Sequence, residues 1–336
     1  MPEPILDVKD LRVHFPTEDG VVKAVDGVSF TIMPGETLGV VGESGSGKSV
    51  TFLTVMGLIN RRSAIVEGQV LFQGEDLLTA PKEDLQAIRG KKIGMIFQDP
   101  MTSLHPFYKV GDQIAEAIRT HEKISKKDAA ERAVEMLRRV GIPRPEERAR
   151  QYPHEFSGGM RQRAMIAMAL SLSPDLLIAD EPTTALDVTV QAQILDLVDR
   201  LQSEFNTAVA MITHDLGVVA EHCDQIQVMY GGRVVETGTA DDIYYQPRMP
   251  YTWGLLRSMP RLNTEEERLH QIRGTPPSLI HLPRGCPFNP RCPYVFDRCH
   301  VDVPELLPVD GHHAAACHLT LEERERIAEQ EVLERA

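Results

Sequence analysis

The chain has 336 residues, of which 42% are hydrophobic, and a formal net charge of −13 at pH 7. This length allows one large α/β domain with a smaller extension, and the apolar fraction suits a packed core. The acidic charge argues against nonspecific nucleic-acid binding, and no apolar stretch reaches the ~18 residues that a membrane-spanning helix needs. The first residues lack the basic start and apolar run of a secretion signal. We therefore expect a cytosolic chain that works at a membrane only through partner proteins.

The N-terminal part of the sequence predicts β-structure interrupted by one helix. β-strand patterns cover residues 5–15, 21–32 and 67–74, with a break at 16–20, and short apolar strands are predicted at 38–41 and 92–97. A helix fits residues 50–56, directly after a glycine-rich run.

The middle of the sequence alternates between helical and extended patterns. The hydrophobic period is helical from about residue 110 to 156, and residues 164–170 are apolar on every side, which predicts a buried helix. Continuous apolar runs at 176–179 and 208–212 predict two buried strands. Buried strands that alternate with helices indicate a mostly parallel sheet covered on both faces.

A glycine-rich run between the strand at 38–41 and the following helix fits the pattern G-x-x-x-x-G-K-S. In such a loop successive N–H groups point at phosphate oxygens, and the helix adds the positive end of its dipole. Lys48 is expected to reach the β- and γ-phosphates, and the Ser49 hydroxyl to ligate Mg²⁺. This run, the phosphate loop (residues 42–49), predicts binding of a nucleoside triphosphate through Gly42, Glu43, Ser44, Gly45, Ser46, Gly47, Lys48, Ser49 and the following Val50.

Two carboxylates follow the apolar strand at 176–179. Asp180 is expected to hold Mg²⁺, directly or through water. Glu181 is placed to polarise the water that attacks the γ-phosphate, a general-base role typically worth ~10²–10⁴ in rate. An acidic pair at a strand end is a weak signal alone, but together with the phosphate loop it predicts nucleotide hydrolysis.

The segment Phe156-Ser157-Gly158-Gly159-Met160, the signature loop, resembles the ABC signature Leu-Ser-Gly-Gly-Gln. It opens an apolar helix, so the Ser hydroxyl and the Gly amides form a second helix start suited to phosphate. One chain cannot aim both loops at one phosphate, so this loop is expected to serve the ATP of a partner subunit in a head-to-tail pair.

Three single residues complete the set of motifs. Gln98, directly after a strand, matches the glutamine that contacts Mg²⁺ and the attacking water. Asp187 ends a Pro-Thr-Thr-Ala-Leu-Asp run that matches the loop lying across the dimer, and His214 matches the histidine that contacts the γ-phosphate. Each is weak alone, but their order and spacing together exclude coincidence.

With these motifs the chain resembles the nucleotide-binding subunits of ABC transporters and, more narrowly, the ATP-binding subunits of dipeptide and oligopeptide importers. The resemblance extends from about residue 5 to about 320. The narrower resemblance is based on segments 98–104, 152–160, 181–188, 250–252 and 285–293.

The resemblance implies an α/β fold in which a P-loop nucleotide-binding domain has a RecA-like core, an antiparallel β subdomain and a helical subdomain. The nucleotide-binding domain would cover residues 1–245, with the helical subdomain at about 105–160, and a small Cys-rich extension would cover 246–336. It also implies that Phe15, upstream of the phosphate loop, stacks on adenine. Met160 and His105 depart from the residues usual in the family, but the Ser-Gly-Gly that contacts phosphate is intact.

The implied activity is ATP hydrolysis that powers import of dipeptides or oligopeptides across the cytoplasmic membrane. The implied partners are two membrane permeases, a second ATP-binding subunit, which is either a paralogue or a second copy, and an extracytoplasmic substrate-binding protein. No nucleic acid is expected. The chain would then lie peripherally on the cytoplasmic face of a bacterial inner membrane. Nickel, glutathione or another small solute stays open as the cargo.

Two other classes of function fit the sequence less well. A soluble ABC ATPase of DNA repair or translation typically has long coiled-coil insertions or two tandem cassettes, and this sequence has neither. An iron–sulfur redox sensor that merely uses ATP would need exposed cluster chemistry or an oxidoreductase partner, of which the sequence gives no sign.

Four of the five cysteines lie near the C-terminus with the spacing C-x₅-C-x₆-C-x₁₇-C, at Cys286, Cys292, Cys299 and Cys317. In a cytosolic protein such a group indicates metal more than disulfides. Four thiolates suit a [4Fe–4S] cluster or a tetrahedral Zn²⁺, whereas unligated thiols or two disulfides stay open. Several members of the peptide-importer branch carry an iron–sulfur cluster here, so the resemblance implies a [4Fe–4S] cluster, with Zn²⁺ as the alternative.

Overall fold

The computed structural model describes residues 3–184, 186–259 and 271–331. The chain forms two compact units. Unit 1 comprises Ile32–Glu36 and Thr79–Ile212 with the N-terminal residues up to Ile5, and unit 2 comprises Leu6–Thr31, Thr37–Leu78 and the chain from Thr213 onward. Among the described residues, no helix combines the length and the apolar character needed to cross a membrane.

The β-strands are short except for the first two. They are β1 (Leu6–Thr17), β2 (Gly20–Ile32), β3 (Thr37–Val41), β4 (Ile65–Phe72), β5 (Glu75–Asp76), β6 (Ile93–Ile96), β7 (Leu176–Asp180), β8 (Ala208–Thr213), β9 (Gln225–Tyr230), β10 (Arg233–Thr239), β11 (Leu307–Asp310) and β12 (His313–Ala315).

The helices are mostly short as well. They are α1 (Lys48–Val55), α2 (Lys82–Ile88), α3 (Pro100–Ser103), α4 (Val110–His121), α5 (Lys126–Arg139), α6 (Pro145–Arg148), α7 (Gly158–Leu170), α8 (Val188–Phe205), α9 (Leu216–His222), α10 (Ala240–Tyr245), α11 (Pro250–Arg257) and α12 (Leu321–Glu331).

Unit 1 contains three parallel strands and a group of packed helices. β7 lies between β6 and β8, with Leu176 opposite both Ile93 and Ala208. β6, β7 and β8 are buried along their whole length, as expected of parallel strands covered on both faces. α4 and α5 pack together, and both contact α7. The buried face of α5, which includes Ala133 and Leu137, repeats with helical period.

Unit 2 contains both parallel and antiparallel pairing. β3 runs parallel to β9, β10 returns antiparallel to β9, and β12 and β11 extend the antiparallel part. A separate antiparallel sheet has the strand order β2-β1-β4-β5. The expectation of an α/β fold with a parallel sheet and an antiparallel β subdomain is therefore confirmed.

Several predicted elements differ in extent from those observed. The helical pattern at 110–156 is divided into α4, α5 and α6, because Ser125 caps a new helix and Gly141 ends it with a left-handed backbone. β11 and β12 were not predicted, since they are short and β11 is largely exposed. The chain ends in the charged helix α12, and residues 332–336 lie outside the described residues. The domain boundary at residue 245/246 stays a prediction.

Candidate nucleotide site

The phosphate loop lies between buried β3 and α1 in unit 2. The predicted strand–loop–helix arrangement is confirmed. Gly47, which precedes α1, has φ of 104°, and a Cβ built there would lie 2.3 Å from the carbonyl oxygen of Ala24. A Cβ on Gly42 would lie 2.2 Å from the carbonyl oxygen of Met229. The loop therefore packs so closely on neighbouring backbone that side chains at these positions do not fit.

Lys48 is buried although it carries a charge, with 5% of its surface exposed. Its Nζ donates hydrogen bonds to the carbonyl oxygens of Gly42 at 2.7 Å and Glu43 at 3.0 Å. Ser44 and Gly45 are exposed at the tip of the loop, and Ser49 and Val50 are half-buried in the first turn of α1. A lysine curled against its own glycine-rich loop at a helix start is a suitable cradle for phosphate groups.

Glu43 is held by two residues from segments 250–252 and 285–293, and the sequence did not indicate that these segments contact the phosphate loop. Its N–H donates to the Tyr251 hydroxyl at 2.9 Å, and its carboxylate accepts two hydrogen bonds from Arg291. Arg291 is 248 positions away in the sequence, so no local pattern could have found it. Phe15, the predicted adenine contact, is half-buried on β1.

The acidic pair lies at the end of β7 in unit 1. Asp180 is the last residue of the strand and is 7% exposed. Glu181 has a left-handed backbone, with φ of 47°, and its N–H donates to the carbonyl oxygen of Ile212 at 2.9 Å. For a residue other than glycine this backbone conformation is uncommon and is a mark of functional sites.

Two side chains orient the carboxylate of Glu181. Gln98 Nε2 donates to Glu181 Oε2 at 2.9 Å, and Thr184 Oγ1 donates to the same oxygen at 2.8 Å. The structure thus brings together two residues that lie 83 positions apart in the sequence and that were both predicted to contact the attacking water. Thr184 lies in the Pro-Thr-Thr-Ala-Leu-Asp run, and its hydroxyl helps to fix the direction of the Glu181 carboxylate.

His214 follows β8 directly and is exposed. The next residue, Asp215, caps α9 by accepting a hydrogen bond from the Gly217 N–H at 2.9 Å. His214 therefore lies at the junction of a strand end and a helix start, within unit 2.

The signature loop is the start of α7, as predicted. The Ser157 hydroxyl caps the helix by accepting from the Met160 N–H at 3.3 Å. Asp187 caps α8 in the same way, accepting from the Val190 N–H at 3.0 Å. Ser157, Gly158, Gly159 and Asp187 all line one open cavity of about 480 Å³. Ala185, in the run that ends at Asp187, lies outside the described residues.

The four C-terminal cysteines converge. All four are free and line one cavity of about 10 Å³ in unit 2, together with Phe288, Tyr294 and His318. Burial raises the pKa of the Cys286 thiol to about 11 and that of Cys292 to about 12. Within the described residues, no three or more His, Cys, Asp or Glu side chains form a group that could hold a metal ion. The expected iron–sulfur cluster is therefore not confirmed.

The histidines near the cysteines have other contacts. His313 is buried and lies 2.9 Å from the carboxylate of buried Glu236. His318 Nε2 lies 2.9 Å from the carbonyl oxygen of Asp302. Cys223, which is distant from the group in sequence, is buried against β3 near Gly39, as is typical of a small apolar side chain.

Comparisons with known proteins agree with these motifs. The ABC transporter family profile matches residues 25–184, and the profile described as the oligopeptide/dipeptide transporter C-terminal region matches residues 235–299. The chain is 53% identical to the oligopeptide transport ATP-binding protein OppD of Haemophilus influenzae, over 95% of this chain and 98% of that protein. It is 55% identical to the protein of the same name in Bacillus subtilis, over 92% of this chain and 87% of that protein.

A solved structure has the same fold. The dimeric ATP-binding cassette MJ0796, in a post-hydrolysis state bound to ADP and Pi, superposes with a TM-score of 0.63 at 27% identity, covering 70% of this chain and 98% of that one. Since more than half of the residues are identical to curated relatives over nearly the whole length, the chain belongs to the ABC transporter family of ATP-hydrolysing ATP-binding proteins, in the branch with the oligopeptide/dipeptide transporter C-terminal region.

Proposed function

We propose that this chain is the ATP-hydrolysing motor subunit of an importer that carries oligopeptides or dipeptides across the cytoplasmic membrane. The observation that carries this proposal is 53% identity, over 95% of the chain, to a protein named for oligopeptide transport. The match of residues 235–299 to the oligopeptide/dipeptide transporter region supports the same cargo class. Nickel or glutathione as cargo, and a soluble ABC ATPase, are not favoured by these similarities.

In this proposal the phosphate loop binds the triphosphate of ATP. The exposed loop tip offers its N–H groups, Lys48 turns from its own loop carbonyls to the β- and γ-phosphates, and Phe15 stacks on adenine. The close packing of Gly42 and Gly47 supports this assignment, because it curls the backbone as phosphate binding requires.

Mg²⁺ would be held by the Ser49 hydroxyl, the Asp180 carboxylate and the Gln98 amide oxygen. Oxygen donors of these types suit Mg²⁺, and Asp180 is nearly buried at a strand end, so the donor set fits. When bound, the ion neutralises charge on the phosphates.

Hydrolysis in this proposal depends on Glu181 as the base for the attacking water. The hydrogen bonds from Gln98 and Thr184 to Oε2 orient the carboxylate, which in this role accepts a proton from the attacking water. His214 contacts the γ-phosphate. The left-handed backbone of Glu181, tied to the Ile212 carbonyl, keeps the carboxylate in one place.

The signature loop is proposed to bind the ATP of a second ATP-binding subunit. Ser157, Gly158, Gly159 and Asp187 line one open cavity of about 480 Å³, which is large enough for phosphate groups supplied from outside. The neighbouring MJ0796 structure is a dimer, which supports a head-to-tail pair here. The second subunit is either another copy of this chain or a paralogue.

The remaining partners would be two membrane permeases and, through them, an extracytoplasmic substrate-binding protein. The chain would then be peripheral, on the cytoplasmic face of the membrane. A pull-down in mild detergent, analysed by mass spectrometry, tests this: permeases are expected, whereas only ribosomes or repair factors would contradict transport.

The four converging cysteines support a [4Fe–4S] cluster as a further part of this proposal, with Zn²⁺ as the alternative. The donor chemistry suits a cluster, but the thiols as they stand form no metal-holding group among the described residues. Iron, sulfide and zinc analysis of anaerobically purified protein tests it. Cys292→Ser should remove the metal and leave ATP binding intact, and metal-free wild-type protein would contradict both forms.

The catalytic assignment is tested by Glu181→Gln in the reconstituted transporter. We expect ATP binding to persist while turnover falls by ~10²-fold or more, because the amide cannot accept the proton. Glu131→Gln, an exposed carboxylate change on α5, is the matched control and should leave turnover unchanged. Normal turnover in Glu181→Gln would show that another group is the base.

A further inference from the structure

We propose that Arg291 and Tyr251, both C-terminal to the ATP-binding core, are positioning residues that hold the phosphate loop ready for ATP through Glu43. This inference deepens the proposed function and depends on the proposed ATP site in residues 42–49. It assigns to the C-terminal region a direct part in setting nucleotide affinity.

The first step of the argument is that Glu43 is fixed through both its backbone and its side chain. Its N–H donates to the Tyr251 hydroxyl at 2.9 Å. Its Oε1 accepts from Arg291 Nη2 at 3.0 Å, and its Oε2 accepts from Arg291 Nη1. A two-pronged guanidinium–carboxylate pair fixes direction as well as distance, so Glu43 has little freedom to rotate.

The second step is that Arg291 itself cannot move easily. Its side chain is 3% exposed, against 27% for Glu43. Its Nε donates to the Arg273 carbonyl oxygen at 3.0 Å, and its guanidinium lies 5.9 Å from the Tyr230 ring centroid and 6.0 Å from that of Phe288. Burial works against its charge, yet hydrogen bonds with Glu43 and Tyr230 raise the pKa of Arg291 above its ordinary value.

The third step is that Tyr251 is equally fixed. It is fully buried on α11, and its ring centroid lies 4.5 Å from that of Tyr230 and 5.4 Å from that of Phe288. Tyr230 ends β9, the strand that runs parallel to β3. The residues that hold Glu43 are therefore packed on the same sheet from which the phosphate loop emerges.

The fourth step connects Glu43 to the rest of the loop. The Glu43 carbonyl oxygen accepts from the Ser46 N–H at 3.2 Å and from Lys48 Nζ at 3.0 Å. Fixing Glu43 therefore fixes the turn that aims the later amides and the lysine. If only a tenth of a variant's molecules keep the loop in this form, the dissociation constant for ATP rises about tenfold.

Two explanations of the Arg291–Glu43 pair predict opposite effects of Glu43→Gln on ATP binding. If Arg291 and Glu43 acted only by their charge near the phosphates, Glu43→Gln would tighten ATP binding and Arg291→Met would weaken it. If they position the loop, both changes weaken binding, and the double variant is little worse than either single one because both remove the same interaction.

The experiment is measurement of the Mg-ATP dissociation constant for the full chain by equilibrium binding, with thermal unfolding recorded in parallel. We expect the dissociation constant to increase roughly tenfold for Arg291→Met and by a smaller factor for Glu43→Gln. The double variant should bind ATP little worse than either single variant, because both changes remove the same interaction. Tyr251→Phe removes one hydroxyl and keeps the ring packing, so it should weaken ATP binding a few-fold in well-folded protein. Arg298→Met, an exposed arginine nearby, is the matched control and should change nothing.

Tighter ATP binding in Glu43→Gln, or unchanged binding in both Arg291→Met and Tyr251→Phe, would overturn the inference. Lys48→Ala separates it from the proposed function. If Lys48→Ala does not weaken ATP binding, the proposed ATP site itself is wrong; if it does but the Arg291 and Glu43 effects are simply additive, only the positioning role fails.

Discussion

The phosphate loop and the signature loop are both glycine-containing helix starts, yet Gly47 and Gly158 have different surroundings. In the phosphate loop, Gly47 has a left-handed backbone and would clash with the Ala24 carbonyl if it carried a Cβ. In the signature loop, a Cβ on Gly158 would meet only the Leu186 side chain, at an ordinary contact distance of 3.6 Å. The fold of this chain therefore requires glycine at position 47, whereas it leaves the space beside Gly158 unfilled. Gly159 differs from Gly158, because a Cβ there would lie 2.9 Å from Val190 Cγ1.

The surroundings of the two loops explain this difference between Gly47 and Gly158. The phosphate loop is packed on backbone from β2 and β9 and is held through Glu43 by Tyr251 and Arg291. The signature loop is exposed at Ser157 and Gly158 and borders an open cavity. A position that is free within the chain but matches the family signature is what we expect where a ligand held by another subunit approaches.

The largest effect is expected for Gly47→Ala. The added Cβ would lie 2.3 Å from a backbone oxygen at a φ of 104°, so the loop must shift at a cost of at least ~2 kcal/mol. ATP binding by the isolated chain should be lost and the melting temperature should fall, as measured by equilibrium binding and thermal unfolding. Retained ATP affinity would show that the loop tolerates a different backbone path.

Gly158→Ala should separate the two loops. Its Cβ fits within the chain, so the melting temperature and ATP binding by the isolated chain should be unchanged. Turnover of the assembled transporter should fall ~10-fold or more, because the methyl group enters the space proposed for the partner's phosphate. Steady-state ATPase assays measure the turnover. If the isolated chain lost ATP binding to the same extent, Gly158 would be required within this chain, as Gly47 is.

Ser157→Ala tests whether the signature serine does more than cap a helix. Loss of the bond to the Met160 N–H should cost ~1 kcal/mol of folding stability and also reduce turnover. The matched control is Ser125→Ala, because Ser125 caps α5 in the same way, accepting from the Asp128 N–H at 3.1 Å. Both variants should lose similar stability in denaturant unfolding, and only Ser157→Ala should lose turnover. Equal turnover in the two would leave Ser157 with a capping role alone.

The smallest effect is expected for Gly45→Ala, the counterpart of Gly47→Ala within the same loop. Gly45 also has a positive φ, of 78°, but a Cβ there has no atom within 4 Å. The cost should be backbone strain alone, ~1 kcal/mol, and ATP affinity should stay within a few-fold of wild type. Titration of ATP into Gly45→Ala and Gly47→Ala compares their affinities. Equal losses of ATP affinity would show that close packing is not what distinguishes Gly47 from Gly45.

The candidate site was predictable to the extent that it consists of local motifs. The G-x-x-x-x-G-K-S run, the strand-end acids and the Ser-capped signature helix carry their spacing in the sequence, and the structure places each on the expected element. Gln98 and Glu181 were predicted separately to act at one water. The hydrogen bond between them shows that their side chains meet, and the two roles stay predictions. Thr184 lies in the Pro-Thr-Thr-Ala-Leu-Asp run, but the run does not show that its hydroxyl reaches Glu181 three residues earlier.

What the sequence could not predict depends on contacts between distant segments. Arg291 pairs with Glu43 across 248 positions, and Tyr251 with the same residue across 208, so neither has a periodic or spacing signal. β11 and β12 also escaped prediction, because β11 is short and exposed and β12 acquires its strand conformation by pairing with β10.

The sequence by itself determined the family, the binding of a nucleoside triphosphate and the grouping of four cysteines, because each depends on particular residue types at fixed spacing. Only the tertiary structure decided which side chains hold those motifs in place. The pair between buried Arg291 and partly exposed Glu43 requires two distant segments to lie side by side. Packing on a common sheet, rather than any local pattern, achieves this.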